Sequence, residues 1–251
     1  MFAGIDVGAS ATKCMIIDEG KNELSSAVKR TGMSLRKVAD EVYKEALSGA
    51  GLELDGIKVV ATGFGRKNVD FADSIRTEIS CHCKGCYHHF PRALTIVDIG
   101  GQDTKLIRTN VEGKIIDFKM NRKCAAGTGA FLEEIARRMD VPLEEMNGIA
   151  LSSEREIEIG SYCTVFTATE ILSKIREGEK QEDIVRGVFG SVIKRIQEMN
   201  PLIGDVVLTG GVVAHNEILF DLLEEALGRE VLKPPKPQFT GAFGAALYAM
   251  M

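Results

Sequence analysis

Residues 5–13, IDVGASATK, recur as residues 97–105, VDIGGQDTK. Asp, Gly, Thr and Lys stand at identical offsets in the two copies, so that Asp6 corresponds to Asp98. Two further pairs of blocks follow in the same order, namely DEGK with VEGK (18–21 and 111–114) and VVATG with VVLTG (59–63 and 206–210). Three blocks that recur in one order indicate that the chain contains two copies of one supersecondary unit.

Each copy predicts the same succession of elements. An apolar strand ends in Asp-x-Gly, a second strand follows at 14–17 or 106–108, and a glycine-containing hairpin turn leads to a third strand. An amphipathic helix comes next, because apolar residues recur at i, i+3 and i+4 spacing. These residues are Leu35, Val38, Ala39, Val42, Ala46 and Leu47 in the first copy and Phe131, Leu132, Ile135, Ala136 and Met139 in the second. Strands that alternate with helices predict an α/β fold with a mixed sheet.

The duplication predicts two similar lobes. We expect residues 1–92 to form the first lobe and residues 93–239 the second. The run KPPKP predicts a loop, and the apolar stretch GAFGAALYAM after it predicts a last helix, within 240–251, that returns to the first lobe. Two such lobes imply a cleft, with Asp6 and Asp98 facing each other across it.

The paired Asp-x-Gly loops predict a nucleotide site. Glycine after each strand lets backbone N–H groups approach phosphate closely, and Thr and Lys supply further donors. Two carboxylates can hold hydrated Mg²⁺ against a triphosphate. The alternative is that Asp-x-Gly only makes a tight turn, but finding the motif twice in one register favours the nucleotide.

Composition excludes several classes of protein. The 251 residues carry a net charge of −5, with 45% hydrophobic and 27% charged residues, which favours neither nucleic acid nor an anionic membrane as partner. The opening residues lack the basic region of a signal peptide, and no apolar stretch approaches the roughly 18 residues of a membrane span. We therefore expect a cytoplasmic protein. Disulfides are disfavoured there, so the six cysteines are core filler, metal ligands or redox thiols, with Cys14 expected in a core strand.

Two of the cysteines precede predicted helices. Cys124 begins CAAGTGAFLEEIA, and Cys163 begins CTVFTATEILSKI, in which Thr167 and Glu170 predict a capping box. The N-terminal end of a helix carries unpaired N–H groups and a partial positive charge, which stabilise a thiolate or an anionic iron–sulfur cluster. From the residues alone, the alternative of two small buried residues at helix starts stays open.

The motifs GIDVGASATK, VDIGGQDTK, KCAAGTGAFLE and CTVFTATEI together resemble the activase family of 2-hydroxyacyl-CoA dehydratases. That family includes the ATPase subunits of benzoyl-CoA reductase and the reductases of double-cubane cluster proteins, within the actin, sugar-kinase and heat-shock-70 ATPase superfamily. The resemblance implies two ribonuclease-H-like lobes with the nucleotide between them. It also implies that Cys124 and Cys163 bind a 4Fe–4S cluster. Because a four-cysteine cluster needs four thiolates, the cluster would be shared across the axis of a homodimer.

The resemblance also implies roles in binding ATP or ADP and Mg²⁺. Asp6 and Asp98 would organise Mg²⁺ and water, with Gln102 or Asp103 near the attacking water. The first phosphate loop would comprise Ala9, Ser10, Ala11, Thr12 and Lys13, and the second would comprise Gly100, Gly101 and Gln102. LTGGVVAHN, 208–216, resembles the adenosine motif of the superfamily, so the nucleoside contacts would be Gly210, Gly211, Asn216 and, by a looser alignment, Gln238.

The implied function is an ATP-driven electron donor. It would deliver one low-potential electron to a partner iron–sulfur enzyme, namely a 2-hydroxyacyl-CoA dehydratase, an aryl-CoA reductase or a double-cubane cluster protein, and would itself be reduced by ferredoxin or flavodoxin. The main alternative is a sugar or small-molecule kinase without a cluster, although the chain shows no sugar-binding signature. A regulatory or chaperone-like nucleotide switch is a third class, and it would give no reason for cysteines at two helix starts.

The segment EISCHCKGCYHH, 78–89, looks like a second metal site. In the resembling family small residues stand at the positions of Cys83 and Cys86, so we expect these cysteines, if the segment is helical, to pack as small hydrophobes. A zinc face made by His82, Cys86 and His89 is one alternative. Redox chemistry of the cysteines in this segment is another.

Overall fold

The computed structural model describes residues 1–53, 56–153, 155, 157–160 and 163–251. The chain forms two compact units. The first comprises Met1–Ile96, Ile107–Asp117 and Pro234–Met251, and the second comprises Val97–Leu106 and Phe118–Lys233. The lobe boundaries expected from the sequence, 1–92 and 93–239, stay a prediction.

The elements alternate as an α/β chain should. The strands are β1 Phe2–Val7, β2 Ala11–Ile17, β3 Glu23–Arg30, β4 Lys58–Thr62, β5 Ser74–Ile75, β6 Leu94–Ile99, β7 Thr104–Thr109, β8 Ile115–Asn121 and β9 Asp205–Thr209. The helices are α1 Leu35–Ala50, α2 Glu78–His89, α3 Gly129–Met139, α4 Met146–Leu151, α5 Thr164–Arg176, α6 Gln181–Met199, α7 Gly211–His215, α8 Ile218–Leu227 and α9 Thr240–Ala249. Short 3₁₀ turns lie at Arg66–Asn68, Leu143–Glu145 and Pro237–Phe239.

The two sheets share one order over four strands, and the first sheet has a fifth strand at its edge. The first is ordered β3-β2-β1-β4-β5, and the second β8-β7-β6-β9. In the first sheet β1 is antiparallel to β2 and parallel to β4, which places Asp6 beside both Lys13 and Thr62. The sequence repeat is therefore a repeat of sheet topology, and the predicted mixed α/β fold is confirmed.

The hairpin turns predicted from DEGK and VEGK are present. Lys21 and Gly113 both adopt positive φ, 67° and 73°. The Asp18 carboxylate accepts a 2.8 Å hydrogen bond from the backbone N–H of Asn22, which closes the first turn. Strand β2 begins at Ala11, three residues earlier than predicted. The sequence placed Thr12 and Lys13 in the loop because they are polar, but both pair with residues of β1.

The predicted helices α1 and α3 bury the predicted apolar stripes. Most of the residues at i, i+3 and i+4 spacing are buried in each, and α1 adds Tyr43 to its buried face. Gly51 caps the C-terminus of α1 and Asp140 that of α3, both in the left-handed conformation. Helical periodicity was enough to predict these two elements, because one face of each packs on a core and the other faces solvent.

Helix α9 packs against β1 and α2 at glycines. A Cβ atom added at Gly244 would overlap the carbonyl oxygen of Cys81, and one added at Gly85 would lie 2.6 Å from the carbonyl oxygen of Thr240. A Cβ atom added at Gly4 of β1 would overlap the carbonyl oxygen of Ala242. The backbones of these elements therefore touch directly, and the last helix is confirmed where the sequence predicted it.

None of the described helices combines the length and the apolar composition that crossing a membrane requires.

Candidate nucleotide and cysteine sites

The turn between β1 and β2 holds a buried carboxylate. Gly8 N donates a 3.1 Å hydrogen bond to Ala11 O, and a Cβ atom added at Gly8 would lie 2.8 Å from that oxygen. Asp6 is 2% exposed, and Lys13 Nζ lies 3.0 Å from Asp6 Oδ2. Asp6 Oδ1 is buried and has no hydrogen-bond partner within the part of the chain that the structure describes. This turn therefore offers a carboxylate oxygen to a ligand.

The turn between β6 and β7 repeats this geometry. Gly100 N donates a 2.9 Å hydrogen bond to Asp103 O. Lys105 Nζ lies 3.1 Å from Asp98 Oδ2, as Lys13 does from Asp6, and 2.7 Å from Asp103 Oδ1. Lys105 is 1% exposed, so its buried charge is compensated by the buried carboxylate of Asp98 and by the half-buried one of Asp103.

A glycine closes over each carboxylate. Gly63 follows β4 with φ 87°, and Gly210 follows β9 with φ 108°. Added Cβ atoms would lie 2.5 Å from Asp6 Oδ1 and 2.6 Å from Asp98 Oδ1. The VVATG and VVLTG repeat thus brings the same residue type to the same place in both halves. Gly210 was predicted as a nucleoside contact, whereas Gly63 was missed, although its position in the repeated block would have indicated it.

The first loop is shorter than predicted. Ala9 and Ser10 are exposed at the turn, whereas Ala11, Thr12 and Lys13 belong to β2. The Thr12 hydroxyl is buried, 3.0 Å from that of Thr31. Its side chain therefore supports the turn from inside.

The second loop packs against the start of α3. Gly129 N donates to Gly100 O at 3.0 Å, and Ala130 N donates to Gly101 O at 2.7 Å. Gln102 is exposed at the tip of the loop. The first two N–H groups of α3 are thus used to fix the loop, and stabilisation of a thiolate at Cys124 by this helix stays a prediction.

The six cysteines divide by exposure. Cys124 and Cys163 are exposed, whereas Cys14, Cys81, Cys83 and Cys86 are buried. The alternative of two small buried residues at helix starts is therefore wrong.

Cys163 is the N-cap residue of α5. Its carbonyl oxygen accepts hydrogen bonds from Thr167 N, 2.9 Å, and from Thr167 Oγ1, 3.1 Å. The predicted capping box of Thr167 and Glu170 is wrong, because the helix begins one turn earlier and Glu170 Oε1 accepts instead from Gly160 N at 2.8 Å.

Cys124 lies in a turn ahead of α3. Asn121 Nδ2 donates to Cys124 O at 3.1 Å and to Ala126 O at 3.0 Å. Thr128, the N-cap residue of α3, donates from its N–H to Ala125 O at 3.1 Å. The turn is thus held by its own backbone, and the thiol side chain is left at the surface.

Comparison with known proteins identifies the family. The BadF/BadG/BcrA/BcrD ATPase family matches residues 3–249 of the chain. This chain belongs to that family. It is similar to the activator of lactoyl-CoA dehydratase from Anaerotignum propionicum, with 42% identity over 250 residues that cover 98% of this chain and 96% of the relative.

Solved structures agree with this assignment. Component A of the (R)-2-hydroxyglutaryl-CoA dehydratase from Acidaminococcus fermentans matches with a TM-score of 0.93 and 36% identity, over 100% of this chain and 99% of that one. A glucokinase from Streptomyces griseus shares the fold alone, with a TM-score of 0.60 and 13% identity over 99% and 98% of the two chains. The predicted resemblance to activators and the predicted superfamily fold are both confirmed.

The remaining predicted contacts of this ATPase family member lie in two places. Gly210 and Gly211 lie at the start of α7, and Asn216 lies at its end, where Nδ2 donates to Val212 O at 2.8 Å. Gln238 is half-buried in the 3₁₀ turn Pro237–Phe239. Their contacts with a nucleoside stay predictions.

The segment 78–89 of this family member is a helix, α2, with its three cysteines buried. Burial raises the pKa of Cys81 to about 12 and that of Cys83 to about 11. The Cys83 thiol lies 3.2 Å from Gly113 O, to which it donates. His82, Cys86 and His89 do not form a group of metal-ligand atoms among the described residues. These features favour small core residues over a zinc face.

The residues present fit both Mg²⁺ and a 4Fe–4S cluster, the two groups that the family resemblance implies. A buried carboxylate oxygen without a partner among the described residues, in a turn with a glycine in close contact, suits Mg²⁺ or its water. Two exposed thiols in a chain whose other four thiols are buried suit a cluster with two ligands from each of two chains.

Proposed function

We propose that this protein is an ATP-hydrolysing activator that delivers one low-potential electron to a partner iron–sulfur enzyme. The observation that carries the proposal is the division of the cysteines: in a member of an activator family, Cys124 and Cys163 alone among the six are exposed. A 4Fe–4S cluster shared by two chains would supply the one-electron chemistry. Cys124 and Cys163 of each chain would hold it.

The chain's own loops would bind and orient the nucleotide. The N–H groups of Ala9–Ser10 and Gly101–Gln102 would bind phosphate oxygens, while Asp6 and Asp98 would orient Mg²⁺ and water. Lys13 and Lys105 hold these carboxylates in place. Gln102 and Asp103 are candidates for orienting the attacking water. Gly210, Gly211, Asn216 and Gln238 are candidates for contacts with the nucleoside.

The partner would be an enzyme of the kinds named among the relatives, or a related one. A 2-hydroxyacyl-CoA dehydratase is the first candidate, and an aryl-CoA reductase or a double-cubane cluster protein is the next. Ferredoxin or flavodoxin would supply the electron. The kinase alternative gives no reason for two exposed cysteines beside helices, and the family assignment disfavours it.

The test is anaerobic purification followed by iron, sulfide and sedimentation assays. Brown protein with four iron per dimer is expected, since each chain offers two ligands and the cluster needs four. Cys124→Ser and Cys163→Ser should each remove the cluster and weaken the dimer, because each change deletes two of the four ligands at once. The matched control, Cys83→Ala combined with Cys86→Ala, should keep its iron.

Three outcomes would contradict the proposal. Colourless protein after anaerobic purification would favour a kinase or a nucleotide switch. A monomer that carries a complete cluster would exclude sharing between two chains. Loss of about half the iron in the control variant would place metal ligands in helix α2.

A further inference from the structure

Helix α2 places one histidine beside the first carboxylate. His82 is 3% exposed, and a Cβ atom added at Gly241 of α9 would lie 3.0 Å from His82 Nε2 and 3.1 Å from Asp6 Oδ2. His82 Nε2 and Asp6 Oδ2 therefore both lie next to the Cα of Gly241, where any other residue would carry a Cβ atom. Strand β1, helix α2 and helix α9 meet there, all within the first compact unit.

The geometry limits how far apart the imidazole and the carboxylate are. Because His82 Nε2 and Asp6 Oδ2 each lie about 3 Å from the position of the added Cβ, they are at most about 6 Å apart, a distance that one bridging water can span. Both groups are buried, and a carboxylate in such surroundings requires donors to hold it. Lys13 supplies one donor to Oδ2 from the side of β2, and His82 Nε2 on α2 lies on the other side of the point beside Gly241, within the reach of one water from the same oxygen.

The close packing of α2 on α9 fixes this placement. Gly244 and Gly85 bring the two helix backbones into contact, and a larger side chain at either position would push α2 away from α9. Cys81, next to His82, is fully buried in the same packing, and burial followed by the charge of Asp6 raises the pKa of its thiol. The helix is therefore held rigidly where its histidine can act on the carboxylate.

We propose that His82 is a positioning residue of the ATPase site. Its Nε2 fixes the carboxylate of Asp6 through one bridging water, so that Oδ1 is presented to Mg²⁺ or to the water around it. The inference rests on the proposed function, since it gives Asp6 a nucleotide-linked role. It assigns to the histidine of EISCHCKGCYHH a function that needs no metal on α2.

Three substitutions separate a positioning role from a merely structural one. His82→Gln places an amide N–H near the site of Nε2, His82→Asn places it near the site of Nδ1, and His82→Leu fills the space without a donor. Loss of a group that orients a ligand through another residue typically costs about 10-fold to 100-fold in activity. We expect this loss of kcat in the Leu and Asn variants, and recovery of most of the parental kcat in the Gln variant.

A second readout does not depend on turnover. Mg²⁺ added with ADP should raise the thermal midpoint above that with ADP alone, because a ligand of the folded state stabilises it. This additional rise should shrink in the Leu and Asn variants and be retained in the Gln variant. Cys83→Ala, a change one residue further along α2, is the matched control. It should keep both the parental kcat and the parental Mg²⁺-dependent increase in the thermal midpoint.

The outcomes are distinguishable. A parent without ATPase activity would overturn the proposed function, and this inference with it. An active parent whose Leu and Asn variants keep its rate and its Mg²⁺-dependent rise would overturn the inference alone. Equal losses in all three variants, Gln included, would also overturn it, since Nε2 would then have no special part. If the Leu variant does not fold, the comparison of Gln with Asn decides.

Discussion

Thiol reagents should divide the six cysteines of this protein into two classes. In protein stripped of iron and kept reduced, two thiols per chain should react quickly with a chromogenic disulfide at pH 8. These are the exposed pair, Cys124 and Cys163. The other four should react only after unfolding, because they are buried. In anaerobically purified protein with its cluster, we expect no fast thiol, since the exposed pair would be ligands.

The size of the difference follows from ionisation. The thiolate is the reactive species, and an ordinary cysteine is about one quarter ionised at pH 8. Burial raises the pKa of Cys83 to about 11 and that of Cys81 to about 12. Only about one in 10³ and one in 10⁴ of these thiols is then ionised at pH 8. Ionisation alone therefore slows their reaction by roughly 10²-fold to 10³-fold, and exclusion of the reagent slows it further.

The assay has internal controls. Cys124→Ser and Cys163→Ser should each lower the fast count by one, whereas Cys83→Ala should leave it at two. Three or more fast thiols in the parent would refute the assignment of α2 as a buried helix. Two fast thiols that persist in iron-loaded protein would refute the assignment of the exposed pair as ligands.

Two further predictions concern the loops and the glycines. Asp6→Asn and Asp98→Asn should each lower ATP turnover by at least ~10²-fold in a phosphate-release assay, the scale of losing a positioned catalytic group; parental rates in both would contradict a nucleotide site at these turns. Gly244→Ala should lower the free energy of unfolding by about 1–3 kcal/mol in urea titration, because its methyl group overlaps a backbone carbonyl. Gly190→Ala, at an open position inside α6, should raise it by about 0.5–1 kcal/mol; a loss there would contradict the described packing.

The fold could be predicted largely because its signals are local and occur twice. Asp-x-Gly after an apolar run, a glycine in the hairpin and a helical stripe each depend on neighbouring residues only. The duplication supplied an independent check, since the same elements had to explain both copies. The strand order of the two sheets agrees with that prediction. The start of β2 was misplaced because Thr12 and Lys13 are polar, and their partners Thr31 and Asp6 are distant in sequence or on another strand.

The candidate site was less accessible to sequence reasoning. Nothing local distinguishes the exposed Cys124 from the buried Cys83, because burial of Cys83 depends on Gly113, thirty residues away. The capping box at Thr167 failed for a similar reason: Glu170 bonds to Gly160 N, outside the helix. His82 could not be connected with the first carboxylate from sequence, since the connection passes through Gly241, which is far along the chain.

Because α9 belongs to the first unit but is synthesised last, the first unit can complete its folding only after the whole second unit has been synthesised. The first unit contains residues from the start of the chain, yet it also contains Pro234–Met251, and α9 buries apolar residues there against Met15 and Ile17. All residues of the second unit, Val97–Leu106 and Phe118–Lys233, emerge before α9 is synthesised. At about 5–20 residues per second, the nascent chain exposes the uncovered face of the first sheet for roughly ten seconds or more. Shielding of that face during synthesis is therefore a requirement that the topology itself imposes.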